Sequence, residues 1–75
     1  MGRLTGFSAS QVRKVAESQG WRFERQRGSH MVFRREGFAR NLTIPNHREL
    51  KPGTLDSIIE TMGLTVDEFL KLARK

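Results

Sequence analysis

One short segment of the chain, residues 25–30, combines side chains that could do acid–base chemistry. It contains Arg25 and Arg27, then the pair Gly28-Ser29, and then His30. An imidazole exchanges a proton near neutral pH, whereas arginine keeps its positive charge there. Cleavage of RNA without a metal needs a base for the 2′-hydroxyl, an acid for the leaving 5′-oxygen and cations for the developing phosphate charge. The segment therefore predicts proton transfer at a phosphodiester, with His30 as either base or acid.

The same residues also have purely structural interpretations. His30 precedes the apolar run Met31-Val32-Phe33, so it could be a half-buried strand residue with a hydrogen-bonded ring. Gly28 permits a positive φ and the close approach of a phosphate, to which Ser29 could donate a hydrogen bond. Both residues are equally compatible with an ordinary hairpin turn that binds no ligand. Exposure distinguishes the two interpretations of the histidine, because a ring buried among core residues would exclude catalysis.

Two further positions are candidates for proton transfer or for phosphate binding. His47, two residues after Pro45, is a second candidate for proton transfer, or a loop histidine that caps a helix or faces water. Lys51 and Thr54 flank the start of a predicted helix, where free backbone amides suit a phosphate. The proline at position 52 and the single lysine are at least as typical of simple helix initiation as of phosphate binding. They argue against recognition of duplex RNA over a wide surface.

Positive charge is concentrated in the first two thirds of the chain. Residues 1–48 carry ten Lys/Arg and three acids, a net charge of +7, whereas residues 49–75 have a net charge of −1. Most of these cations are arginines, whose planar fork matches phosphate oxygens. A polyanionic partner is therefore predicted, with surplus charge for solubility as the alternative. The arginines predicted to contact RNA are Arg25, Arg27, Arg34 and Arg40.

Length and composition exclude several classes of protein. A chain of 75 residues predicts one small domain, residues 1–75, with a thin core. Because the chain has no cysteine and only two histidines, we predict no disulfide, no metal site and no cofactor. The first residues lack the apolar stretch of a signal peptide, and no run approaches the roughly 20 apolar residues of a membrane span. The expected location is the cytoplasm.

Three helices are predicted from apolar spacing and capping residues. The first covers about residues 9–19, between a capping box at Ser8 and the stop signal Gly20. The second begins at Pro52 and ends before Gly63, and the third begins after a capping box at Thr65. The apolar stripes of all three are interpreted as core.

The middle of the chain predicts three strands. Residues 21–26 alternate between apolar and polar side chains, which predicts a half-buried strand, and residues 38–44 alternate again. Residues 30–35 follow the Gly-Ser turn and form the strand between them. The expected fold is α+β, with the order α-β-β-β-α and a short C-terminal helix. Its three-stranded antiparallel sheet has helices on one face, which leaves the other face or the rim free for a ligand.

Four segments together resemble the successive signatures of the HicA toxin family, also called YcfA-like. They are residues 8–20, 25–30, 44–55 and 62–70. The strongest pieces are the turn Gly28-Ser29-His30 and the helix start at residues 51–55. The resemblance implies a double-stranded-RNA-binding-domain-like fold, a ribonuclease that cleaves messenger RNA (mRNA), and neutralisation by a HicB-like antitoxin. It also implies that His30 is the catalytic histidine.

Three kinds of function are compatible with these residues. The first is an endoribonuclease toxin whose antitoxin covers the basic face or the His30 turn. The second is a non-catalytic RNA-binding module, which would bind RNA in a salt-sensitive way and leave it intact. The third is a protein-interaction domain whose basic face docks on an acidic partner. The family resemblance favours the first.

Overall fold

The computed structural model describes residues 3–74 and has the predicted order of helices and strands. The elements are α1 (Ala9–Ser18), β1 (Arg22–Arg27), β2 (His30–Arg34), β3 (Leu42–Pro45), α2 (Pro52–Thr61) and α3 (Val66–Ala73). None of these helices has the length and apolar character needed to cross a membrane.

The helix boundaries follow from local capping. At α1 the Gln11 N–H donates to Ser8 Oγ at 3.2 Å, and the Ser8 N–H donates to Gln11 Oε1 at 2.8 Å. Thr65 and Glu68 make the same reciprocal pair at the start of α3, at 3.1 and 2.8 Å. Each box satisfies backbone N–H groups that a helix start leaves unpaired. Both predicted capping boxes are therefore confirmed.

The three strands form one antiparallel sheet in the order β1-β2-β3. Met31 lies opposite Ile44 and Phe33 lies opposite Leu42, and all four side chains are buried. They share one core cluster with buried residues from the three helices, a cluster that includes Val12, Val15, Ala16, Leu55, Ile58, Ile59 and Phe69. The helices therefore cover one face of the sheet, as the α+β, double-stranded-RNA-binding-domain-like fold requires. We call the opposite face the open face.

The prediction for β3 was wrong at its first four residues, because the strand begins at Leu42. The Phe38 N–H closes a turn onto the Arg35 carbonyl at 3.1 Å, with Gly37 at a φ of +90°. The Phe38 ring then packs on Trp21, with the ring centroids 5.0 Å apart. This contact takes residues 38–41 away from the ladder, so that Phe38 does not share a strand face with Leu42.

The prediction that β1 is half-buried was also wrong. All six residues of β1 are exposed, whereas Trp21, which directly precedes the strand, is buried. Phe23 is 43% exposed, and it packs by its edge on Phe33 with the Arg13 guanidinium over its ring. β1 is thus an exposed edge strand with an apolar anchor at one end.

Candidate functional site

A β-bulge interrupts the pairing of β1 with β2. Phe23 pairs with Phe33, and the next pair along the ladder is Arg25 with Val32. Glu24 is therefore the extra residue of the bulge, and the pairing register shifts by one residue after it.

The bulge determines which face the β1 arginines share. Side chains alternate between the faces of a strand, so a shift of one residue moves every later side chain to the other face. Without the shift, Arg25 would lie opposite Met31 on the covered face. With it, Arg25 lies opposite Val32 and Arg27 lies opposite His30, on the open face.

The turn between β1 and β2 is held by hydrogen bonds from β1 and from the loop that follows β3. Gly28 has a φ of +59°, and no residue other than glycine in the described part of the chain has a positive φ, which is the pattern of a type II′ turn. The Gln26 side-chain amide donates to the Gly28 carbonyl at 2.9 Å. The Asn46 N–H donates to the Ser29 carbonyl at 2.6 Å. These bonds fix the backbone that leads into His30.

His30 is exposed at the start of β2, between Arg27 on one neighbouring strand and Pro45 on the other. Directly opposed residues have Cβ atoms about 4.5–5.5 Å apart. Within residues 3–74, the imidazole has no hydrogen-bond partner and Arg27 has no ion-pair partner. His30 is therefore not the half-buried, hydrogen-bonded histidine of the structural interpretation, and its cross-strand neighbour is an arginine with no ion-pair partner within residues 3–74.

Two other arginines of the open face, Arg25 and Arg34, form ion pairs with the bulge carboxylate, and Arg22, the strand partner of Arg34, is a further arginine on this face. Glu24 Oε1 lies 3.2 Å from Arg25 Nη1, and Glu24 Oε2 lies 3.6 Å from Arg34 Nη1. Glu24 is a site residue that sequence reasoning missed. The available signal was its position as the sole acid between Glu17 and Glu36, inside the run of arginines.

His47 lies in the loop that follows β3, at the same end of the sheet as His30. Its carbonyl accepts the Ala9 N–H of α1 at 3.0 Å, and its own N–H donates to the Pro45 carbonyl at 2.9 Å. His47 therefore caps a helix start through its backbone. Its exposed side chain has no hydrogen-bond partner within the described residues.

The remaining predicted site residues lie beside β3. Arg40 and Thr54 line a shallow groove between β3 and α2, together with Asn41, Leu42, Thr43, Pro45, Ser57, Ile58 and Thr61. The groove adjoins the open face through Pro45, the strand partner of His30. Lys51 is exposed at the N-cap of α2 and makes no side-chain cap hydrogen bond. Arg25, Arg27, Arg34 and His30 thus share one face, with Arg40 and Thr54 in the neighbouring groove.

Comparison with protein-family models identifies the family of this chain. The family model described as the HicA toxin of bacterial toxin–antitoxin systems matches residues 9–64, which include all three strands and α2. The chain belongs to the HicA toxin family. As a HicA toxin, it is one half of a bacterial toxin–antitoxin system and has an antitoxin as its partner. No curated protein matches the chain.

Residues 3–74 of this HicA chain contain no cluster of three or more His, Cys, Asp or Glu that could hold a metal ion.

Proposed function

We propose that this HicA toxin is an endoribonuclease that cleaves mRNA by metal-independent acid–base catalysis with His30. The observation that carries the proposal is that exposed His30 is the cross-strand partner of Arg27, an arginine with no ion-pair partner among the described residues, on the open face. One group can move a proton, and the other can bind the phosphate on which negative charge develops.

The reaction is an attack of the 2′-hydroxyl oxygen on the adjacent phosphorus, with departure of the 5′-oxygen. The products are a 2′,3′-cyclic phosphate and a 5′-hydroxyl end, so the proton removed from the nucleophile is balanced by the one given to the leaving group. His30 performs one of these transfers. His47 is the candidate for the other transfer, because its loop begins after Pro45, at the end of the sheet where His30 lies.

Backbone and side-chain groups around the turn suit a bound phosphate. A Cβ added at Gly28 would meet no atom within 4 Å, so the outer side of the turn is open to a ligand. Ser29 presents an exposed hydroxyl there, next to Arg27. Arg25, Arg34, Arg40 and Lys51 are the further proposed RNA contacts, with Thr54 as a secondary one.

A non-catalytic RNA-binding module is the second candidate. It is favoured by the lack of a described hydrogen-bond partner that would orient the His30 ring, since catalytic histidines are ordinarily held by one. The basic open face would serve either function. Cleavage itself separates the two.

The proposed partner is a HicB-like antitoxin with an acidic surface that covers the open face and the His30 turn. Such a surface would be complementary in charge and would block mRNA at the same time. The proposed location is the cytoplasm, where mRNA and the antitoxin are made. A pure protein-interaction domain is the alternative, and it predicts that an antitoxin and RNA bind independently.

The test is incubation of the purified protein with labelled RNA in the presence of a chelator. His30→Ala should lower the cleavage rate by about 100-fold or more, because a positioned proton-transfer group contributes that much. Circular dichroism and RNA affinity should stay unchanged. Retained cleavage by the variant would refute the role of His30, and RNA left intact by the native chain would favour the binding module.

His47→Ala is the matched comparison, since it removes the other imidazole of the chain. A loss as large as that of His30→Ala would identify His47 as the second proton-transfer group. An unchanged rate would assign that transfer to another group or to water.

A further inference from the structure

Glu24 is the only acidic residue in the three strands of the sheet. Both of its carboxylate oxygens are engaged, one by Arg25 at 3.2 Å and the other by Arg34 at 3.6 Å. Its side chain is 35% exposed, less than the 49% and 68% of the two arginines. The bulge thus places a negative charge inside a positive surface.

We infer that Glu24 weakens RNA binding at Arg25 and Arg34, so that a phosphate is bound by Arg27, the strand partner of His30, in preference to these two arginines. This inference rests on the proposed function, and it assigns Glu24 as a residue that determines where RNA binds. A phosphate near Arg25 or Arg34 has to displace the carboxylate and is repelled by it. Arg27 forms no ion pair with a carboxylate among the described residues, so a phosphate can bind it without displacing one.

The distance between Arg34 and His30 along β2 determines whether RNA bound at Arg34 can be cleaved. Arg34 lies four residues after His30 on the same strand, which at about 3.4 Å per residue is roughly 14 Å away. A phosphate held at Arg34 is therefore remote from the imidazole. RNA anchored there would be bound without being aligned for reaction, and the carboxylate disfavours that arrangement.

Glu24→Gln removes the charge and retains the shape of the side chain. Binding of a short fluorescein-labelled oligouridine, measured on the His30→Ala background so that it is not cut, should become about three- to tenfold tighter at low salt. The slope of log affinity against log salt should steepen by about 0.7 for each added phosphate contact. In the chain that retains His30, kcat and KM should fall together while kcat/KM stays constant, because the added binding is non-productive.

Two comparisons isolate the role of Glu24. Glu60→Gln makes the same charge change on α2 and should leave affinity within about twofold. Because Glu24 weakens the contact of Arg34 with RNA, Arg34→Ala should cost less affinity in the native chain than Arg27→Ala does. It should remove most of the gain when combined with Glu24→Gln, a coupling that independent residues would not show. Equal effects of Glu24→Gln and Glu60→Gln, or additive effects of Glu24→Gln and Arg34→Ala, would overturn the inference.

The two proposals fail in different ways. If the native chain cleaves RNA and Glu24→Gln binds it no more tightly, the inference about Glu24 is wrong and the proposed function stands. If RNA is bound and never cleaved, the catalytic proposal is wrong, and the affinities still decide the role of Glu24. If no variant binds RNA, both are wrong.

Discussion

Gly28 is the residue on which the position of His30 depends most directly. Its φ of +59° is disfavoured for residues with a Cβ, although the space around it is open. Gly28→Ala should therefore lower the free energy of unfolding by about 1–3 kcal/mol through backbone strain. RNA cleavage should fall as well, because relief of the strain displaces the start of β2. Urea denaturation and a cleavage assay measure the two effects.

Gly53→Ala is the control for this substitution. Gly53 also has open space around it, but it lies in the first turn of α2 and has no positive φ. Alanine there should raise stability by about 0.4–1 kcal/mol, because it reduces the freedom of the unfolded chain and favours the helix. Equal losses from the two glycine variants would show that the turn conformation is not what Gly28 supplies.

At the scale of elements, α2 begins with a lysine, which is not among the residues that favour the N-cap of a helix. Lys51 is the N-cap and makes no side-chain cap hydrogen bond, whereas α1 and α3 begin with the capping residues Ser8 and Thr65. Lys51→Ser should raise the free energy of unfolding by about 0.5–1 kcal/mol by supplying a cap. If Lys51 binds RNA as proposed, affinity should fall and the salt slope should decrease by about 0.7.

Thermal unfolding and salt-dependent RNA binding separate the two alternatives for this helix start. Simple helix initiation predicts the gain in stability with unchanged RNA affinity. Lys14→Gln on α1 removes the same charge from an exposed helix residue and should leave affinity unchanged. A loss of affinity in both variants would show a general effect of net charge.

The elements that sequence alone predicted are those determined by neighbouring residues. The capping boxes and the positive φ of Gly28 depend on residues within a few positions of each other, and they were confirmed. The start of β3 depends on the contact between Phe38 and Trp21, which are 17 residues apart, and it was predicted wrongly. No local pattern shows such a contact.

The candidate site divides in the same way. The Gly-Ser turn that leads into His30 was predicted from adjacent residues. The exposure of the His30 side chain agrees with the catalytic interpretation. The face taken by Arg25 and Arg27 was not predicted, because it depends on the bulge at Glu24. The bulge is a property of how two strands pair, since Phe23 has to reach Phe33 while Arg27 closes the turn.

At the scale of the whole molecule, one core supports the sheet whose opposite face carries the candidate site. Phe69 of α3 is fully buried in it and packs by its edge on Phe7, with ring centroids 5.2 Å apart. Arg3 forms an ion pair with Asp67 at the surface nearby, and its guanidinium holds the pKa of that carboxyl below the ordinary value. The N-terminal segment and α3 thus close the core together.

Phe69→Ala should accordingly test whether the site depends on this core. It should lower the free energy of unfolding by about 3–5 kcal/mol, a large share of the roughly 4–11 kcal/mol expected for a chain of 75 residues. Phe38→Ala removes the same ring from a residue that is 38% exposed and should cost only about 1–2 kcal/mol. Chemical denaturation measures both. RNA cleavage should be largely lost with folding in Phe69→Ala and retained in Phe38→Ala. Equal stabilities would contradict the position of Phe69 in the core, and full cleavage by an unfolded Phe69→Ala chain would contradict a site built on the sheet.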